Sequence, residues 1–163
     1  MKYKTVTEKR LRALGASTDG KDYVVNNCPH TDSIKVVEWL IKEDKLDWAN
    51  WLIVRVMERK QYLAYAIYSA EQVIDIYEKK YPDDKRPRNA IKAAEKVLKN
   101  DTKKNRAAAY AAAAAAAAAY DAADAADAAY DAADAAYDAA ASYSGRRKMR
   151  LKILKYGLRL LRS

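Results

Sequence analysis

The chain has 163 residues, 51% apolar and 33% charged, with a net charge of +9 and only 4 Gly and 3 Pro. That length suits one helical domain, 1–163, with a real core, and the scarcity of Gly and Pro favours helices over turns. A single cysteine excludes internal disulfides and zinc-knuckle spacing, and no apolar run reaches the roughly 18 residues that a membrane span needs.

The opening "MKYKTVTEKR" is charged and lacks the apolar core of a secretory signal, so a cytoplasmic site of action is expected. Thr5-x-x-Glu8 predicts a capping box ahead of "KRLRAL", and Gly15 supplies a C-terminal stop. Residues 16–32, "ASTDGKDYVVNNCPHTD", read as a loop. Asp32 or Ser33 then opens a helix on which Ile34, Val37, Leu40 and Ile41 share one face. Asp44 or Asp47 caps a third helix carrying Trp48, Trp51, Leu52, Val54 and Val56. A fourth is expected from about Gln61 to Lys80, with Leu63, Ile67, Ala70, Ile74 and Tyr77 or Glu78 in helical period. "YPDDKRP" ends it, because Pro82 and Pro87 cannot sit in a helix interior. Arg88 to Lys99 forms a fifth helix.

The sixth comes from an alanine-rich tract. Residues 107–141 contain no Pro or Gly, and alanine has the strongest intrinsic helix propensity. At about 1.5 Å per residue the tract reaches roughly 50 Å, beyond the roughly 40 Å breadth of a compact chain this size. It must project, curve around the bundle, or break near Tyr120–Asp121. Its first half, with alanine throughout 111–119, is placed centrally because it has no polar face. "SYSG" at 142–145 reads as a turn before a last helix, 146–162. No segment reads as a strand. The expected fold is all-α: a compact bundle of six or seven helices with a long alanine-rich helix and a C-terminal antiparallel hairpin.

The hairpin rests on charge. Asp124, Asp127, Asp131, Asp134 and Asp138 lie on one helical face, and Lys148, Lys152, Lys155, Arg159 and Arg162 on another. Folded antiparallel, they pair in register as 138 with 148, 134 with 152, 131 with 155, 127 with 159 and 124 with 162. Leu151, Leu154, Leu158 and Leu161 form the neighbouring stripe, expected to lie on the alanine face. The alternative is two solvated faces whose shared period is only helix geometry.

Signals of catalysis are thin. Cys28 and His30 in "NNCPHTD" make a Cys-x-His pair, but two ligands do not make a structural zinc site, and a dyad normally has an orienting group. They read as loop residues in packing or capping roles. No phosphate-binding glycine loop, Ser-x-x-Lys or His-Glu-x-x-His motif appears, and no cofactor or metal is implied. The densest polar cluster is "YPDDKRPR", Tyr81–Arg88, whose arginine forks suit carboxylate or phosphate groups. The same residues also fit a helix–helix connection in which Asp83 or Asp84 caps and Arg86 pairs internally.

"LRALGAS" (Leu11–Ser17), "YSAEQVIDIYEKKYPDDKRPRNAIKAAEKVL" (Tyr68–Leu98) and the alanine-rich tail with scattered Tyr and Asp together resemble a known family. It is the alanine-rich immunity-protein family of bacterial polymorphic-toxin loci, which also occurs in phage genomes. The resemblance covers most of residues 8–140 and is most specific at Tyr81-Pro82-Asp83-Asp84-x-Arg86-Pro87-Arg88. Family members often carry cysteines where this chain has Leu14, Ser17, Tyr68 and Ser69, so no thiol role transfers. The resemblance implies a non-enzymatic inhibitor that binds and neutralises a protein partner, a toxin or a defence component, in an immunity or phage counter-defence role. The binding surface is expected at Glu71, Glu78, Tyr81, Asp83, Asp84, Arg86 and Arg88. The second reading is a nucleotide-binding sponge or a nucleic-acid binder using the Arg and Lys clusters. Duplex binding ranks below it because the hairpin would spend five basic groups on aspartates. No membrane partner is expected.

Overall fold

The computed structural model describes residues 5–72, 74–113 and 143–163, and every described element is an α-helix, apart from one isolated antiparallel bridge between Thr5 and Asp32. The fold is all-α. Contacts divide the chain into two compact units: residues 1–65 with 150–163, and residues 66–149.

The first unit begins with α1 (Glu8–Ala13) and α2 (Thr18–Asn27). Thr7, rather than Thr5, caps α1 by accepting from the Arg10 amide, since Thr5 is engaged in the bridge to Asp32. Gly15 ends the turn with φ at 76°, the left-handed conformation that glycine adopts without steric cost. The loop expected over 16–32 is for the most part α2. Polar, Gly- and Asn-containing sequence hid this helix, which Ser17 caps by accepting from the Gly20 amide at 3.2 Å, while Val24 is buried on its inner face.

α3 (Ser33–Lys42) starts as expected, with Asp32 Oδ1 accepting from the Ile34 and Lys35 amides. α4 (Leu46–Val56) has no side-chain cap; Asp44 instead takes a left-handed φ of 55° in the turn before it. The core contains Val36, Val37 and Leu40 of α3 and Leu52, Ile53 and Val56 of α4, all 2% exposed or less. α5 (Arg59–Glu71) starts in this unit, where Tyr65 is buried and donates its hydroxyl to Asn50 Oδ1 at 2.7 Å. α9 (Tyr143–Arg162) ends in it.

The four residues read as a turn were misplaced in part: Tyr143 to Gly145 are already helical. Glycine inside a helix costs only about 1 kcal/mol, which neighbouring turns absorb. Leu154, Leu158 and Leu161 join the core of the first unit, with Val37, Leu40 and Ile53. Arg162 pairs with Glu38, and Arg150 with Asp47 at 3.0 Å. The aspartates assigned to the charge ladder, and most of the alanine-rich helix 107–141, lie outside the described residues.

The second unit holds α6 (Ile74–Lys80), α7 (Arg86–Lys99) and α8, described over 103–113. The helix expected from Gln61 to Lys80 is divided at residue 72, where the Gln72 amide is shared between the carbonyls of Tyr68 and Ser69 and tightens the end of α5. α7 begins two residues earlier than expected because Pro87 falls in its first turn, where a missing N–H costs nothing. Ile91 and Val97 are buried along its apolar stripe.

Candidate functional site

The sequence cluster Tyr81–Arg88 is the corner joining α6 to α7, within the second unit. Tyr81 closes α6, its amide bonded to the Tyr77 carbonyl at 2.9 Å and its ring 4.9 Å from that of Tyr77. Pro82 and Asp83 turn the chain, and the Lys85 ammonium donates to the Pro82 carbonyl at 2.6 Å.

Asp84 is the hub. Its Oδ1 accepts from the Arg86 backbone amide and from Arg86 Nε, both at 2.9 Å, and its Oδ2 accepts from Arg86 Nη2 at 3.0 Å and from the Tyr77 hydroxyl at 2.7 Å. The Arg86 fork is therefore bidentate, and the carboxylate sits at the N-terminus of α7, where the helix field favours negative charge. Arg88, one helical step further, donates from Nε to Glu78 Oε1 at 2.9 Å and from Nη2 to Glu78 Oε2 at 2.5 Å, and reaches Asp75 Oδ1 at 3.2 Å.

Ionisation follows from these contacts. The Arg86 guanidinium, then the Tyr77 hydroxyl and the Arg86 amide, hold the Asp84 carboxyl far below the ordinary carboxylate range. The Arg88 fork lowers Glu78, and Glu78 in turn raises Arg88. Hydrogen bonding to Asp84 raises Tyr77. Each shift carries a pKa further from pH 7, so Asp84, Glu78 and Arg88 stay charged and Tyr77 stays neutral across the physiological range. The network is suited to holding a shape rather than to moving protons.

Five of the seven expected site residues are thus brought together: Glu78, Tyr81, Asp84, Arg86 and Arg88. Glu71, on the last turn of α5, and Asp83, at the tip of the corner, are exposed, and among the described residues neither joins the hydrogen-bonded set. Sequence reasoning missed Tyr77 and Asp75. Their signal was helical spacing: 75 and 78 share a face, and Tyr77 lies one turn before Tyr81.

Cys28 and His30 stay together in the loop after α2, where the thiol donates weakly to the His30 carbonyl at 3.5 Å and burial pushes it up. That is a packed thiol. Among the described residues no group of three or more His, Cys, Asp or Glu side chains is placed to hold a metal, and no helix is long and apolar enough to cross a membrane.

An all-α scaffold with a charge-paired corner does not by itself fix a function. The model of the family described as "Imm-5 like putative immunity protein" matches residues 53–144, and the chain belongs to that family. The match contains the whole α6–α7 corner and begins after Leu11–Ser17, so the "LRALGAS" segment is no part of it. No curated protein sequence and no solved structure matches the chain.

Proposed function

We propose that this protein neutralises a protein partner, a toxin or a bacterial defence component, by occupying its surface through the α6–α7 corner. One observation carries the reading: the corner's ion pairs are made before any partner arrives. Two arginine forks, the Tyr77 hydroxyl and the flanking prolines fix the backbone, so little conformational freedom remains to be lost on binding. What this frame presents outward is charged. Asp75 is 82% exposed and Arg86 51%, with Asp83 at the tip and Glu71 beside α6 in sequence. A partner would meet alternating carboxylates and a guanidinium edge, which sets register and orientation. Asp84 and Glu78 support this surface, and Arg86, Asp83 and Glu71 contact the partner.

The same pairing weighs against a nucleotide sponge at this place. A phosphate would have to displace carboxylates that already hold both forks.

The test compares Arg86→Ala, Asp83→Arg and Arg88→Ala. Each is captured with the partner from host lysate, with mass spectrometry of proteins and small molecules, and its melting temperature is measured on the same preparation. Arg88→Ala is expected to lower the melting temperature, since it leaves Glu78 without its fork. Asp83→Arg is expected to keep the melting temperature and lose the protein that the wild type retains, and Arg86→Ala, which also takes the fork from Asp84, to lose more of it than its fall in melting temperature explains. Binding retained in both, or lost only alongside folding, returns the corner to a purely structural role. A nucleotide in the eluate would replace the protein reading.

A further inference from the structure

The first unit contains an opening of about 390 Å³ between α1, α2, α3 and α4. Its base is apolar: Leu11, Val24, Leu40 and Leu52, all less than 9% exposed. Its walls are the indoles of Trp48 and Trp51. A solvent-open cleft of this size, lined mainly by apolar and aromatic side chains with a few polar groups, has the form that small-molecule sites take.

Both indoles are held from elsewhere. The Arg55 guanidinium lies 4.1 Å from the Trp51 ring centroid and is itself anchored by donating to the Trp51 carbonyl at 3.0 Å. The Trp48 ring is flanked by the Tyr23 ring at 5.2 Å and the Lys45 ammonium at 5.3 Å. Collapse into the opening would break these contacts, so the walls stay apart. Two glycines line the rim. Gly15 carries the chain past it with positive φ, and a Cβ on Gly20 would come within 3.0 Å of Ser17 Oγ and 3.6 Å of Trp48 Nε1.

Charge and donors narrow the occupant. The one carboxylate at the rim, Asp47, is compensated by Arg150 at 3.0 Å, so the opening offers no uncompensated charge among the described residues. The Ser17 hydroxyl accepts from the Gly20 amide and keeps its own proton to donate. The Trp48 N–H has no acceptor among the described residues. An engineered cavity of about 150 Å³ admits one benzene, so this opening has room for about two to three rings.

We propose that this opening is a binding site for an uncharged small molecule with two or three fused or linked aromatic rings and one hydrogen-bond acceptor. The rings lie between Leu11, Leu40 and the two indoles, and the acceptor faces Ser17 and Trp48. Its lining residues all precede residue 53 and none belongs to the α6–α7 corner, so its test does not depend on the partner proposed there.

The test uses 6-propionyl-2-(dimethylamino)naphthalene, an uncharged two-ring fluorescent probe with a carbonyl acceptor, titrated into the full chain. The expected result is saturable fluorescence with one probe per chain and concurrent quenching of tryptophan emission. Ala16→Leu, which places a larger side chain in the lining, is expected to weaken binding at least about tenfold with the melting temperature kept. A second measurement does not depend on that variant folding. The chain's three tryptophans give three indole N–H resonances, and the probe is expected to shift those of Trp48 and Trp51 more than that of Trp39, which does not line the opening. Unsaturable binding, equal affinity in folded Ala16→Leu, or an equal shift at Trp39 would overturn the assignment.

Discussion

Replacing Gly157 by alanine should destabilise the protein, although the same change at an open helical site would stabilise it. Gly157 lies inside α9, where exchanging glycine for alanine ordinarily gains about 1 kcal/mol through the unfolded chain and the helix backbone. Here a Cβ would stand 2.6 Å from Tyr65 Cε2 and 2.7 Å from Ile53 Cδ1, closer than carbon atoms approach. Neither neighbour gives easily. Ile53 is fully buried, and Tyr65 is held at its far end by the 2.7 Å bond to Asn50. Overpacking of this kind costs about 1–3 kcal/mol, which exceeds the propensity gain and leaves a net loss of about 1 kcal/mol. Urea titration should register that loss, and thermal melting a fall of about 2–4 °C. Ile53→Val removes the Cδ1 atom, so its own cost, about 0.5–1.5 kcal/mol in the wild type, should shrink in the Gly157→Ala background. A rise in melting temperature on Gly157→Ala, or strict additivity with Ile53→Val, would refute the close approach of α9 to Ile53 and Tyr65.

Two further outcomes follow from the ion pairs and the α9 leucines. Because the folded protein depresses Asp84, that carboxylate stabilises above its unfolded pKa of about 3.9 and loses its effect as pH falls toward the folded value. The stability difference between wild type and Asp84→Ala should therefore be constant above about pH 5 and shrink below about pH 4 in urea titrations; a difference that grows on acidification would contradict the pairing. Leu154→Ala should cost about 2–5 kcal/mol, whereas Arg162→Ala, which removes an exposed partner of Glu38, should cost about 0–1 kcal/mol. The reverse order would mean that charge rather than apolar burial holds α9 in place.

Local chemistry alone settled much of this protein. The all-α class, the Asp32 cap, the Gly15 stop, the break at Pro82 and the start of α7 near Pro87 are all short-range consequences of backbone geometry and capping. Where several residues competed for one role, only the fold could choose. Thr7 caps α1 because Thr5 is engaged with Asp32, and α2 forms from an unpromising polar sequence because Ser17 caps it and Val24 finds a core. The candidate corner was legible as a cluster, since Asp84 and Arg86 are two residues apart. Its second half was not, because Arg88 meets Glu78 and Asp75 across separations of 10 and 13 that only the reversal at Pro82 brings together. The leucine stripe of α9 was equally plain as a stripe, but the alanine face expected for it was not the core that Leu154, Leu158 and Leu161 join. Periodicity shows which face of a helix must be buried, and only the rest of the chain, by supplying the core of the first unit, decides against what.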